Sequence, residues 1–319
     1  MSHESYLHRC LEIASLGINK VAPNPMVGAI LVHNEIIIGE GYHQFFGGAH
    51  AEVNCIQSVK EENKKFIRDS TLYISLEPCT HFGKTPPCVD LILSSNIPNV
   101  IISSYDCNEK VREKGVKILR DAGVNVVIGI LDKEQQELNK RFYTFYEKKR
   151  PYILLKWAES QDGYIGIEGK NIKITNLLQD ISVHARRAAE QAIMVGTNTV
   201  RTDNPKLDIR YWSGKPPIRV VIDKKLEFKG DLNLFKSNTP LIVFNEQKSS
   251  IENNIRYVKL EKFTVEEYVQ KLYSFDIISV MIEGGAVLLQ SFINAKLYDE
   301  ILVVKGSEKL NYGIKAPVV

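Results

Sequence analysis

The chain has 319 residues, 44% hydrophobic and 25% charged, with a formal net charge of +3. That length accommodates two ordinary domains, and the balance is that of a folded soluble protein rather than a disordered or fibrous one. The small charge excess, spread along the chain, argues against a nucleic-acid-binding role. The five cysteines do not form the pattern of a secreted disulfide scaffold, and no apolar run is long enough to span a bilayer. Reduced thiols and the lack of a leader-like opening segment give a cytoplasmic expectation.

The elements follow in chain order from periodicity and punctuation. A helix is predicted over 5–16, followed by the turn-rich Pro23-Asn24-Pro25. Apolar runs at 27–32 and 36–41 flank His33-Asn34-Glu35 and read as a hairpin. A helix begins near His50 and runs to 59. A strand over 71–76 then carries Glu77-Pro78-Cys79 at its C-terminal end. Pro86 and Pro87 suit the first turn of a helix opened by Cys88. Strands at 100–103 and 124–130 enclose a helix over 111–122 that stops at Gly123. A charged helix over 133–149 then meets Arg150-Pro151, and proline cannot continue it. The domain boundary is placed there, giving domains 1–148 and 149–319.

Beyond the boundary the pattern restarts. Strands are predicted at 152–155, 192–196, 218–222, 241–244, 277–282 and 300–304, with helices at 177–190, 265–273 and 286–295. Strands alternating with helices make both halves layered α/β domains, with sites expected at strand ends and helix starts.

The chemistry concentrates in the first half. His50, Cys79 and Cys88 can supply three zinc ligands, and Glu52 a carboxylate beside an open position. Three protein ligands make a catalytic zinc site, whereas structural sites are closed by four; His81 is the only close candidate for a fourth. His-x-Glu followed by a Pro-Cys/Cys pair marks zinc-dependent nucleobase deaminases, although here a longer loop separates the cysteines. The helix starts at His50 and Cys88 favour deprotonated ligands. Glu52 would take a proton from the water and pass it to the leaving nitrogen. Lys84, in the loop between the two cysteines, has donors to offer a substrate. Cys10, Cys55 and Cys107 read as core residues.

Pro23-Asn24-Pro25, Val27-Gly28, Gly39 through His43, His50-Ala51-Glu52, Glu77-Pro78-Cys79 and Gly83 through Cys88 closely resemble the bifunctional riboflavin-biosynthesis deaminase/reductase family. The resemblance continues through Lys156, Asp162-Gly163, Thr175, Arg187, Gly196, Asp203-Asn204-Pro205, Asp223 and Glu283-Gly284-Gly285, and so covers nearly the whole chain. It implies a cytidine-deaminase-like α/β/α domain followed by a dihydrofolate-reductase-like α/β domain. The implied activities are zinc-dependent deamination of a diaminopyrimidinone carrying a ribosylamino 5′-phosphate, then NADPH-dependent reduction of its ribosyl group to ribityl. By position, Asn24, His43, Lys84, Asp106 and Asn108 would hold the first substrate. Asn171, Arg187, Leu207, Arg210 and Glu283 would hold the second, with Lys156 catalytic. Ala158, Lys173, Thr175, Thr199, Asp203, Gly284 and Gly285 map to the cofactor region. On chemical grounds Arg187 and Arg210 suit a phosphate, and Gly284-Gly285 before a helix lets backbone N–H groups approach one.

The chain departs from the family pattern at Cys107 and Glu109, where proline is common, at Asn171 in place of serine, and at Lys173, where some relatives carry tryptophan. Residues 307–319 lack the usual Pro-Lys-Leu-Gly-Gly segment. The second sheet is therefore expected to close differently or to be completed by a partner, within a homo-oligomer (dimer or tetramer). A second reading keeps the deaminase and makes the C-terminal half a catalytically impaired dimerisation scaffold; binding of NADPH separates the two. A zinc-stabilised nucleic-acid module is a third, disfavoured by the lack of a clustered basic face.

Overall fold

The structure, a computed structural model, describes residues 2–82, 86–109, 111–228 and 230–319. It divides into two compact units, Met1–Lys149 and Arg150–Val319. The first opens with α1 (His3–Ser15), whose N-terminus is capped by the Ser2 hydroxyl accepting from Ser5 N. Strands β1 (Gly28–His33) and β2 (Ile36–Tyr42) pair as the expected hairpin. Asn34 and Glu35 take φ of 48° and 63° at its turn, so that the loop follows the twist of the strands.

Next come α2 (Ala51–Gln57), a 3₁₀ segment (Glu61–Asp69), β3 (Thr71–Leu76), α3 (Cys88–Ser94), β4 (Asn99–Ser104), α4 (Lys114–Asp121) and β5 (Asn125–Ile128). The sheet order is β2-β1-β3-β4-β5, antiparallel across β2-β1-β3 and parallel from β3 to β5. Alternate residues serve opposite faces. Ala29, Leu31, Leu72 and Ile74 pack with α2 and α3 residues such as Ala51, Cys55 and Ile92, while Ile30, Val32 and Tyr73 pack with α1 residues Tyr6, Leu7 and Cys10. Truncating a fully buried aliphatic such as Leu72 to alanine would cost about 2–5 kcal/mol.

Gly41 explains how α2 comes so close to the sheet. A Cβ there would lie 2.1 Å from Cys55 N, so a side chain would push the helix and its N-terminal histidine away.

One predicted helix is two. The span 133–149 divides into α5 (Asp132–Leu138) and α6 (Lys140–Lys148). At the break, buried Asn139 clamps the chain next to Pro25: its Oδ1 accepts from Met26 N at 2.7 Å and its Nδ2 donates to Met26 O at 2.9 Å. That long-range pairing overrides the local helical pattern.

The second unit runs β6 (Tyr152–Glu159), β7 (Tyr164–Gly166), α7 (Leu177–Ala189), β8 (Ala192–Val195), α8 (Thr197–Asp203), β9 (Ile218–Ile222), β10 (Leu241–Asn245), β11 (Ser250–Glu252) and β12 (Ile255–Lys259). It ends with α9 (Val265–Ser274), β13 (Ser279–Glu283), α10 (Ala286–Asn294), β14 (Glu300–Lys305) and β15 (Ile314–Lys315). Its main sheet has the order β11-β12-β10-β9-β8-β13-β6-β14 and is parallel except at β11. The near-continuous apolar runs of β8, β9, β10 and β13 are what strands covered on both faces require. Arg150 forks onto Asp299 at 2.5 and 2.7 Å, and Asp299 also accepts from Ile153 N, fixing the start of β6 beside β14.

Residues 307–319 add no strand to this sheet. Instead β15 pairs antiparallel with β7, and Asp162 accepts from the N–H groups of Leu310 and Asn311. The sequence reading did not anticipate β7, α8, β11, β12 or β15, segments too short to carry a clear period.

Candidate functional site

His50 is the N-cap of α2, so its ring projects from the helix start, while Cys88 is the first residue of α3 and Cys79 follows the end of β3. His50 Nδ1 lies 3.4 Å from Cys79 Sγ and 3.3 Å from Cys88 Sγ. All three ligand atoms fall within 4.8 Å of one another, and among the described residues this is the one group of three or more His, Cys, Asp or Glu side chains so placed. One imidazole and two thiols at this spacing fit zinc; His81 is not in the group, which leaves a coordination position open. The Cys88 thiol and His50 hold the Cys79 sulfur well below the ordinary thiol range, while its hydrogen bond to Cys79 and burial drive the Cys88 thiol up.

The triad opens onto a cavity of about 330 Å³ lined by Asn24, His43, His50, Glu52, Cys79, Asp106 and Asn108. Glu52 is 3% exposed, and burial, reinforced by the charge on Cys79, pushes its carboxyl up to about 7. It therefore exchanges a proton near neutrality, as a general base and acid must. Burial lowers the pKa of His43. The His43 Nδ1 donates to Ala49 O at 3.0 Å, so its Nε2 accepts from Asn24 Nδ2 at 3.2 Å, which fixes the orientation of the Asn24 amide. Asp106 is raised to about 6 by burial, with the nearby carboxylate of Glu77 adding to the shift, and its Oδ1 accepts from Asn108 N. Lys84 lies outside the described residues. Phe46, Phe142 and Tyr146 also line the cavity and were not singled out from sequence. The i, i+4 spacing of Phe142 and Tyr146 marks a common face of α6 but not what that face meets.

The residues called in the second half fall into two groups. Asn171, Thr199, Asp203 and Gly285 line a cleft of about 1140 Å³, together with Lys224 and Phe263, which the sequence reading passed over. Gly284 and Gly285 have φ of 95° and 79°, and a Cβ on Gly284 would meet Thr199 Cγ2 at 3.2 Å. Both glycines take a left-handed backbone immediately before α10, with the Thr199 side chain packed against them. Asn171, carried over as a substrate contact, thus sits on the wall of the cofactor-sized cleft.

The other group is ionic. Lys156 Nζ donates to Glu283 Oε1 at 2.9 Å, and Arg187 forks onto the same carboxylate at 2.7 and 2.8 Å. Burial alone would raise the pKa of Glu283, but Arg187 and Lys156 outweigh it and hold the group well below the carboxylate range. The remaining Arg187 nitrogen reaches Asp208 O at 3.0 Å and lies 3.4 Å from His184 Nε2, whose ring meets that of Tyr211 at a tilt of 57°. The Arg187 fork is spent on Glu283 rather than presented for a phosphate. Arg210, half exposed, pairs with Asp208 and lies over Tyr211. Lys173 pairs with Asp180, to which Thr175 also donates. Ala158 lies on β6, half-buried. The Leu207 side chain is buried in the core among Ile193, Val195 and Val200, which leaves only its backbone to touch a ligand.

Both units resemble known proteins. Residues 1–104 match the cytidine and deoxycytidylate deaminase zinc-binding region, and residues 151–307 the RibD C-terminal domain. The chain is 35% identical to the riboflavin biosynthesis protein RibD of Aquifex aeolicus, over 98% of this chain and 88% of that one. It is 36% identical to RibD of Bacillus amyloliquefaciens, over 93% and 82%. The solved structure of the Thermotoga maritima diaminohydroxyphosphoribosylaminopyrimidine deaminase/5-amino-6-(5-phosphoribosylamino)uracil reductase superposes with a TM-score of 0.90 at 36% identity, covering 98% of this chain and 89% of that one. RibD of Acinetobacter baumannii gives 0.89 at 28% identity, with the same coverage.

Proposed function

The chain belongs to the RibD family of riboflavin-biosynthesis proteins, which join a deaminase to a reductase, and from that premise we propose how its residues divide the two reactions. The enzyme hydrolytically deaminates 2,5-diamino-6-ribosylamino-4(3H)-pyrimidinone 5′-phosphate and then reduces the ribosyl group to ribityl with NADPH; its cofactors are Zn2+ and NADPH. We assign the deaminase to 1–148 and the reductase to 149–319.

In the first unit His50, Cys79 and Cys88 hold zinc, which supplies the Lewis acid that activates water. Glu52 takes a proton from the attacking water and returns it to the amino nitrogen, so that C–N cleavage releases ammonia and leaves a carbonyl. Asn24, His43, Asp106, Asn108 and Lys84 bind the pyrimidine and its phosphoribosyl arm. In the second unit bound NADPH would supply the hydride for ribose C1. Lys156 holds the proton that the ring oxygen takes up as the ring opens, and Glu283 aims the Lys156 ammonium through their hydrogen bond. Arg210 takes the 5′-phosphate, Arg187 braces Glu283, Leu207 offers its backbone to the substrate, and Asn171 meets it from the wall of the cleft. Ala158, Lys173, Thr175, Thr199, Asp203, Gly284 and Gly285 line the path of the cofactor.

The assembled cluster of Lys156, Glu283 and Arg187 speaks against the C-terminal half being only a scaffold. The enzyme acts on a small molecule, and no described helix is long and apolar enough to cross a membrane. We place it in the cytoplasm as a homo-oligomer that does not bind nucleic acid. The observation that carries the reading is the His50-Cys79-Cys88 triad with Glu52 in one cavity, in a chain matched from end to end by RibD proteins. Zinc-loaded protein given the diaminopyrimidinone ribosylamino phosphate tests it. A ribityl product formed only with NADPH is expected; arrest at the deaminated ribosyl compound would return the C-terminal half to a scaffold role.

A further inference from the structure

Glu77 stands between the end of β3 and Pro78-Cys79 and is 4% exposed. Both of its carboxylate oxygens accept from backbone N–H groups of one distant segment. Oε2 receives Asp106 N at 3.3 Å and Glu113 N at 2.9 Å, and Oε1 receives Gly115 N at 3.0 Å and Val116 N at 3.2 Å. Those last two donors lie in the first turn of α4, where N–H groups have no partner within the helix. The helix cannot cap itself, because its N-cap, Glu113, has φ 65° and makes no side-chain cap. Gly115 permits the approach: a Cβ there would lie 2.4 Å from Pro78 O. Between the donors the chain carries Asp106, Asn108 and Val111 on the wall of the deaminase cavity.

We propose that Glu77 is a positioning residue that fixes Asp106, Asn108 and Val111 against the strand end bearing Cys79, and so sets substrate affinity at the deaminase site. This rests on the deaminase reading above. A single buried carboxylate thus joins the element that carries a metal ligand to the element that reads the substrate. Four N–H donors on two oxygens demand an acceptor-only group. Glutamine would turn an amide NH2 toward two of the donors, whereas aspartate keeps both oxygens but is one methylene short.

The test is steady-state deamination by zinc-loaded full-length wild type, Glu77→Gln and Glu77→Asp, with zinc content and reductase activity measured on the same preparations. Loss of charge-assisted bonds should raise the KM of Glu77→Gln about tenfold or more. Its kcat should stay within about threefold, with zinc content and reduction unchanged, and Glu77→Asp should recover part of the loss. Wild-type KM in Glu77→Gln, a fall in kcat at constant KM, or loss of zinc in step with activity would each overturn the role. Inactive wild type would instead remove the deaminase reading itself. Should Glu77→Gln not fold, hydrogen exchange on the wild type decides: the amides of Asp106, Glu113, Gly115 and Val116 should exchange slowly, and exchange at the rate of a free loop would sink the proposal.

Discussion

In the first unit, two helix starts and one strand end bring His50, Cys79 and Cys88 together, with the His50 nitrogen 3.3 to 3.4 Å from the two sulfurs and Glu52 beside them. In the second, Lys156 from β6, Glu283 from β13 and Arg187 from α7 meet as one carboxylate between two cationic side chains, in the unit that also holds a cleft of about 1140 Å³. The first arrangement is complete only with a cation, because two thiols and an imidazole packed so closely favour a metal over shared protons. The second has its hydrogen bonds met within the protein: one carboxylate accepts from both Lys156 and Arg187. A metal site is thus specified by the ligand atoms it gathers, and a buried ionic cluster by how its charges are paired.

The widest gap between the two should open on zinc removal. Chelation is expected to abolish deamination, because neither water activation nor the ligand arrangement survives. Reduction of pre-deaminated substrate should continue at its original rate, and parallel loss of both activities would show that the comparison treats as separate what the molecule couples. Glu52→Gln is the next step down. It removes the proton carrier and spares the ligands, so deamination should fall by roughly 10²–10⁴ with zinc content intact. Normal turnover in that variant would refute the assigned role.

Lys156→Ala should mirror it on the other side, slowing reduction by about 10²–10⁴ and leaving deamination alone. NADPH affinity measured by calorimetry should hardly change, since Lys156 does not line the cofactor-sized cleft.

The smallest effect is on stability against pH. Glu283 in the folded chain sits below its ordinary value of 4.5, so its contribution is fully present above that value and is lost as pH falls through it toward the folded pKa. Denaturant unfolding monitored through NADPH binding should therefore weaken on acidification below about pH 4.5. In Glu283→Gln that part of the slope should vanish; an unchanged slope would assign the acid sensitivity to other carboxylates.

The first site was legible because its chemistry is local. His50 and Glu52 are two residues apart, Glu77-Pro78-Cys79 closes a strand, and Cys88 opens a helix behind two prolines, so motif and element boundary coincide. In the second unit the resemblance supplied the names of the residues, but their partners are 96 and 127 positions apart in sequence. No period or spacing says that Arg187 turns its fork to Glu283, or that the Leu207 side chain enters the core.

By itself the sequence determined the two α/β units, the break near Arg150-Pro151 and the metal triad, because hydrophobic alternation, proline geometry and ligand chemistry act over a few residues. Tertiary structure alone decided that Asn139 splits a helix to hold Met26, that Glu77 gathers the N–H groups of 106–116, and that β15 pairs with β7 rather than joining the large sheet. Each of those rests on a buried polar group finding its partner across the fold. The cost of leaving such a group unpaired in a low-dielectric interior is set by what surrounds it in space, and chain neighbours do not reveal that.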